Sequence, residues 1–227
     1  MRDQLRKIKN RIDTAANGCG RDPETISLVA VSKTVAAEQV KEAIEAGVTI
    51  LGENYVQEAR EKIQGLSPYP VSWHFIGHLQ TNKAKYVVKL FDLIHSVDSL
   101  KLAQELDKHA RKNDKIQPIL IQINVAGEMS KSGVPVEHAT KLIKNIGQLP
   151  NLAVRGLMTM PPYFNAPEKV RPYFKTLRQL SDQIRNESIP HVSMDELSMG
   201  MTGDFEVAIQ EGATLVRIGT AIFGERN

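Results

Sequence analysis

The stretch LVAVSKT, Leu28 to Thr34, carries a short apolar run to a lysine followed by a hydroxyl. Side chains alternate along a strand, so Leu28, Ala30 and Ser32 share one side and Val29, Val31 and Lys33 the other. Lys33 therefore points where the valines point. Such a lysine either runs its stem out to solvent as the strand ends or presents an amine to whatever lies there. An amine so presented can attack a carbonyl carbon and form a Schiff base. A second stretch, ELSMGMTGDFEVAIQEGATLVRIGTAIFG (196–224), twice places glycines and hydroxyls after a strand. The first group is Ser198, Gly200, Thr202 and Gly203; the second is Gly219 and Thr220. Glycine lets backbone approach a ligand closely, and Thr202 is placed to cap the helix that follows. Amide groups at a helix start favour a phosphate. Plain turns use the same residue types, so it is the recurrence after two successive strands that favours an anion.

A lysine at one end and a phosphate cup at the other describe a ligand with a carbonyl and a phosphate. Two chemistries fit: a sugar-phosphate aldolase and a protein that holds pyridoxal 5′-phosphate. Arg217 bears on the choice, because pyridoxal-phosphate sites set a charged group, a carboxylate or an arginine, against the pyridine nitrogen. By alternation Arg217 shares a side with Leu215 and Gly219. A guanidinium stays protonated, so a ring nitrogen facing it would remain neutral and the ring would be a weaker electron sink.

The elements that must position these groups follow from periodicity. Apolar, β-rich runs occur at 26–33, 49–54, 73–77, 92–98, 118–124, 153–160, 191–199 and 214–220. Between them lie segments of helical spacing, such as Val40 and Ile44 in AAEQVKEAIEAG, and Phe174, Leu177, Leu180 and Ile184. Strands alternating with helices predict parallel βα units, and eight of them predict a (β/α)₈ TIM barrel. A doubly wound open sheet is the alternative. The run HVSMDELSM is the least apolar of the eight. Leu5, Ile8 and Ile12 predict an extra amphipathic helix ahead of the first strand, stopped near Gly18 and Gly20. LSPYP and MPPYFNAP read as loops. No linker-like stretch or internal repeat divides the chain, so one domain is expected over residues 1–227.

In such a barrel the active site lies at the C-terminal mouth, where strand ends supply the chemistry. The strand ends are polar: Lys33, Asn54, His78, Asp98, Asn124, Ser198, Gly200, Arg217, Gly219 and Thr220.

Composition narrows the class. Charged residues make up 24% and hydrophobic residues 41%, the balance of a folded globular chain. The net charge of +3 is spread among acids, which gives no basic stripe for nucleic acid. Cys19 is the only cysteine, which excludes an internal disulfide and a cysteine-based zinc site. No metal site is expected. The charged N-terminus has no apolar signal core and no run approaches a membrane span, so a cytoplasmic protein is expected.

Taken together, the blocks VAVSKT, LGENYVQE, WHFIGHLQTNKAK, HSVDS, INVAGEMSKSG, GLMTMPP and ELSMGMTGDFEVAIQEGATLVRIGTAIFG resemble, in order and from end to end, the pyridoxal-phosphate-binding homeostasis proteins. These are single-domain relatives of the N-terminal barrel of alanine racemase. The resemblance implies that Lys33 carries pyridoxal 5′-phosphate as an internal aldimine with Asn54 near the ring. It further implies that Arg217 faces the pyridine nitrogen, and that Ser198, Gly200, Gly219 and Thr220 hold the phosphate. His78 and Met158 are assigned to the pocket wall. Thr202 stands where the family often has serine, and the hydroxyl is kept.

The implied function is homeostasis of pyridoxal phosphate (vitamin B6) and of amino- and keto-acid pools, with no confidently assigned catalytic residue. Pyridoxal-phosphate-dependent apoenzymes are the expected recipients, and a monomer is expected. Racemisation needs acid/base groups on both faces of Cα. Lys33 serves one face; the opposing tyrosine of two-domain racemases comes from a further domain not expected here, and Tyr55 is the nearest substitute. A racemase of small substrate range is the alternative. The AGEMSKSG loop, Ala126 to Gly133, would cover the barrel or meet a partner.

Overall fold

The aliphatic runs pair in parallel and close on themselves. In the computed structural model, which describes residues 1–128 and 132–224, the strands are β1 (Ser27–Val31), β2 (Ile50–Glu53), β3 (Ser72–Phe75), β4 (Leu93–Val97), β5 (Gln117–Asn124), β6 (Val134–Pro135), β7 (Leu152–Thr159), β8 (Val192–Ser198) and β9 (Leu215–Ile218). Neighbours run β1–β2–β3–β4–β5–β7–β8–β9, and β1 pairs with both β2 and β9, which closes the barrel. Closure rules out the open sheet. The two-residue β6, an addition that periodicity does not reveal, pairs only with the end of β5. HVSMDELSM forms a full strand, β8, despite its polar residues: Met194 and Leu197 are buried while Asp195 is exposed.

Parallel strands covered on both faces read as continuous apolar runs, and the two faces here build two cores. Outside, the strands pack against α2 (Ala37–Glu45), α3 (Val56–Gly65), α4 (Ala84–Leu90), α5 (Leu100–Arg111), α6 (Val136–Ile146) and α7 (Arg171–Arg185), each burying one apolar stripe. On α7 that stripe includes Phe174, Leu177, Leu180 and Ile184, as the spacing predicts. The extra helix α1 (Arg2–Gly18) buries Leu5, Ile8 and Ile12. It packs against the short α8 (Phe205–Gln210) and α9 (Thr220–Phe223), with Arg11 over the Phe205 ring and bonded to Glu206.

Inside, Val29, Leu93, Leu120, Met158 and Leu215 form a separate apolar cluster joined by Ile50. Two residues further along β4, β5 and β9 the inward side chains become His95, Gln122 and Arg217, all buried. The barrel therefore has an apolar floor and a polar layer above it, toward the C-terminal mouth. Of the AGEMSKSG loop, Met129, Ser130 and Lys131 lie outside the described residues.

Candidate functional site

Lys33 stands in the turn just past β1, half-buried. The ladder itself ends at Val31, two residues earlier than the apolar run suggests. Val31 is paired with Gly52, and the Ser32 N–H still bonds the Gly52 carbonyl at 3.0 Å. Extended by two residues, that register would set Lys33 opposite Asn54 on the inward side. The Asn54 Oδ1 is buried and has no hydrogen-bond partner among the described residues. A buried amide oxygen without a donor costs on the order of 1–3 kcal/mol, so its retention here is consistent with a ligand donor.

Gly77 packs against the Asn54 backbone. A Cβ at Gly77 would lie 2.4 Å from the Asn54 carbonyl oxygen and 2.7 Å from its Cα. Because the obstacle is backbone, Gly77→Ala should displace Asn54 and destabilise the protein by about 1–3 kcal/mol. Chemical denaturation checks the stability, and a ligand titration on the same variant checks whether the mouth has lost affinity.

Arg217 sits on β9 directly above Leu215, only 4% exposed. Its Nη1 donates to Ser198 Oγ at 2.5 Å and its Nη2 to the Thr159 carbonyl at 2.8 Å. Both acceptors are neutral. Burial pushes the guanidinium down to about 10, and the charge of Asp204 only partly opposes this. Burial likewise raises the Asp204 carboxyl, against a bond from the Met201 N–H and the charge of Arg217.

Ser198 continues the chain. It is wholly buried and lies 2.8 Å from His95 Nδ1, while His95 Nε2 lies 3.0 Å from His74 Nδ1. Arginine can only donate, so the Ser198 oxygen accepts from Arg217. A chain in which Ser198 donates to His95 Nδ1 and His95 Nε2–H donates to His74 Nδ1 satisfies each of these groups with neutral imidazoles. Burial, then the charges of His74 and Arg217, hold His95 well below the usual histidine range, and burial pushes His74 down to about 4.

Both imidazoles are therefore neutral in the fold, while the unfolded chain takes up protons at its ordinary pKa of 6.5. Stability is complete above that value and is lost as the pH falls toward 4, by about 1.4 kcal/mol per pH unit for each histidine. Buried Glu53 and Asp204, with raised values, act in the opposite sense. Thermal melting from pH 7.5 to 4.5 should show the loss, and His74→Gln should reduce its slope by about one proton.

The two glycine-containing loops meet at the mouth. Thr220 Oγ1 donates to Thr202 Oγ1 at 3.3 Å, and the Arg217 N–H bonds the Gly200 carbonyl at 3.0 Å. Gly200 has φ +91°, and a Cβ there would lie 2.6 Å from Ala208 Cβ and 2.9 Å from Phe205 Cα. Gly219 precedes α9 and Thr220 opens it. Thr202 does not cap the next helix as expected. That helix, α8, starts at Phe205 with Asp204 before it, because the Asp204 carboxylate accepts the Met201 N–H at 2.6 Å and tightens the turn.

Strands β8, β9, β1 and β2 are consecutive around the barrel, so Ser198, Gly200, Arg217, Gly219, Thr220, Lys33 and Asn54 share one side of the mouth. Met158 lies in the apolar floor cluster, paired across β7 and β8 with Ser198. His78 stands apart, exposed on the loop after β3, 3.4 Å from Ser132 Oγ and along a groove with Gln80, Thr81 and Asp98. The buried histidines of the interior are His74 and His95, which the strand-end reading passes over. Their signal is a histidine in the middle of an apolar strand, in WHFIG and DLIHSVD.

Comparison with known proteins gives the family and the fold. The family model "Alanine racemase, N-terminal domain" matches residues 4–227. The pyridoxal phosphate homeostasis protein of Aquifex aeolicus is 47% identical over 224 residues, 99% of this chain and 97% of that one. A crystal structure of an unknown protein from Bifidobacterium adolescentis is 36% identical with a TM-score of 0.93, covering 98% of this chain and 94% of that one. PipY of Synechococcus elongatus PCC7942, solved with PLP bound, is 33% identical with a TM-score of 0.83, covering 94% of this chain and all (100%) of that one. The chain belongs to the alanine racemase N-terminal domain family and, within it, to the pyridoxal phosphate homeostasis proteins.

Proposed function

We propose that this chain holds pyridoxal 5′-phosphate reversibly through a covalent link to Lys33 and serves the homeostasis of that cofactor and of amino- and keto-acid pools. The observation that carries the reading is one side of a barrel mouth that offers an amine, an unpaired buried amide oxygen and a buried guanidinium with neutral partners. The fit to the cofactor is chemical. Its aldehyde suits Lys33, its ring nitrogen accepts from Arg217, and its phosphate falls to the loops of Gly200, Gly219 and Thr220. Ser198, expected among the phosphate ligands, has its hydroxyl engaged by Arg217 and His95 and serves this site by holding Arg217. Met158 supports the pocket from below, and His78 lines the rim.

When bound, the cofactor supplies an aldehyde and a ring able to delocalise charge. An arginine that only donates leaves the ring nitrogen unprotonated and the ring a poor electron sink, which favours carriage over catalysis. Exchange of the lysine link for another amine gives a route by which apoenzymes would receive the cofactor. We read the chain as one barrel domain over residues 1–227, cytoplasmic and monomeric. In support, the family match runs over 4–227, and among the described residues no helix is long and apolar enough to cross a membrane.

The test has two arms on the purified protein. Titration with pyridoxal 5′-phosphate should generate a visible absorption band at saturation, and Cα-deuterium exchange of amino acids should stay far below ordinary turnover. No band at saturation would end the reading. Exchange at turnover rates would turn it to a racemase, with Tyr55, 58% exposed beside Asn54, the first candidate for the second base.

A further inference from the structure

A Lys–Glu pair outside the barrel wall grips both peptide groups that flank Lys33. Lys62, on α3, is only 6% exposed. Its three ammonium hydrogens go to the Ser32 carbonyl at 2.5 Å, Glu53 Oε1 at 2.9 Å and Glu58 Oε1 at 2.6 Å. Glu58 Oε1 in turn accepts the Thr34 N–H at 2.5 Å. The carbonyl before Lys33 and the amide after it are thus both tied to the Lys62–Glu58 pair. Between these grips the chain turns through Thr34 at φ +61°, a conformation that branched residues avoid. Glu53, wholly buried, also accepts from Ser32 Oγ at 2.7 Å, and it immediately precedes Asn54 on β2. One ammonium group therefore ties together the two strand ends that carry Lys33 and Asn54. A surface i,i+4 pair would not need this burial; a pair that fixes a backbone does.

We propose that Glu58 and Lys62 are positioning residues for Lys33: by clamping the peptides on either side, they hold its amine at the angle from which it captures an aldehyde. The inference rests on the reading of Lys33 given above. In that capture the neutral Nζ forms a bond to the aldehyde carbon, and the carbonyl oxygen leaves as water with the two amine hydrogens. Loss of the clamp should weaken capture of the aldehyde and leave recognition of the ring and phosphate intact.

Lys62→Met would strand buried Glu53 without its cation and risks unfolding, so the main variant is Glu58→Ala. The Glu58 side chain is 27% exposed, and the protein should tolerate its loss. Glu58→Gln keeps an acceptor for Thr34. Binding is measured calorimetrically for two probes, pyridoxal 5′-phosphate and 4′-deoxypyridoxine 5′-phosphate, which lacks the carbonyl. Glu58→Ala should bind the aldehyde about tenfold more weakly, the value of one charge-assisted hydrogen bond, and the deoxy compound within about twofold of wild type. Glu58→Gln should recover most of the difference. Equal weakening of both probes, or unchanged aldehyde binding in Glu58→Ala, would overturn the positioning role. If the wild type itself bound both probes equally, the fault would lie in the reading of Lys33, and this inference would fall with it.

Discussion

Lys33→Ala should abolish the visible band of the protein saturated with pyridoxal 5′-phosphate while leaving the fold intact. Lys33 lies past the last residue of β1, outside the apolar floor, so truncation opens no core cavity. The melting temperature should move by no more than about 2 °C. Arg217 and the loops of Gly200 and Gly219 remain to hold ring and phosphate, so binding should weaken by about 100-fold, or ~2.7 kcal/mol, without vanishing. Equilibrium dialysis beside absorption spectroscopy separates the two effects. An unchanged band in the variant would show that a different amine holds the aldehyde.

Arg217→Met should separate binding from stability. Burial lowers the guanidinium from its ordinary value to about 10, so the unfolded chain holds that proton more tightly than the folded one. Below pH 10 the charge therefore costs the fold on the order of 3 kcal/mol, and the cost is relieved only as the pH rises above 10. Methionine fills much of the same space without the charge. Its replacement of Arg217 leaves Ser198 still paired with His95 and deprives the Thr159 carbonyl of a donor, a loss of about 1–3 kcal/mol. The two terms nearly cancel, so the ligand-free variant should melt within about 5 °C of wild type. The rise in melting temperature on adding pyridoxal 5′-phosphate should disappear. A variant that fails to fold would make Arg217 a structural residue first, and one that keeps the full ligand-induced rise would remove it from the site.

The fold was legible where burial is two-sided. Uninterrupted runs such as PILIQIN and ISLVAVSK announce parallel strands, because helices cover one face and the barrel interior the other. HVSMDELSM was hard to read because Asp195 is exposed and Ser193 and Glu196 are only partly covered, which breaks the apolar run. At the site, alternation alone puts Arg217 above Leu215, and the structure has Arg217 buried on β9 two residues past Leu215 of the floor cluster. Lys33, in the turn beyond Val31, lies past the last strand residue to which alternation applies. The histidine chain was not legible. His95 meets Ser198 across 103 residues of sequence, a contact that only barrel closure creates. Glu58 and Lys62 were hidden for a different reason: at i and i+4 on a helix they have the spacing of a solvated surface pair, and only the packing of α3 against the ends of β1 and β2 buries the ammonium.

The central claim is that Lys33 is the residue that holds pyridoxal 5′-phosphate, and the most direct measurement is reduction followed by peptide mapping. The saturated protein is treated with borohydride, digested with trypsin and analysed by mass spectrometry. A modified lysine resists trypsin, so a phosphopyridoxyl group on Lys33 should appear on a peptide running from Asp22 through Lys33 to Lys41, with the visible band gone. Cleavage after an unmodified Lys33, with the label found on another lysine or on none, would contradict the account.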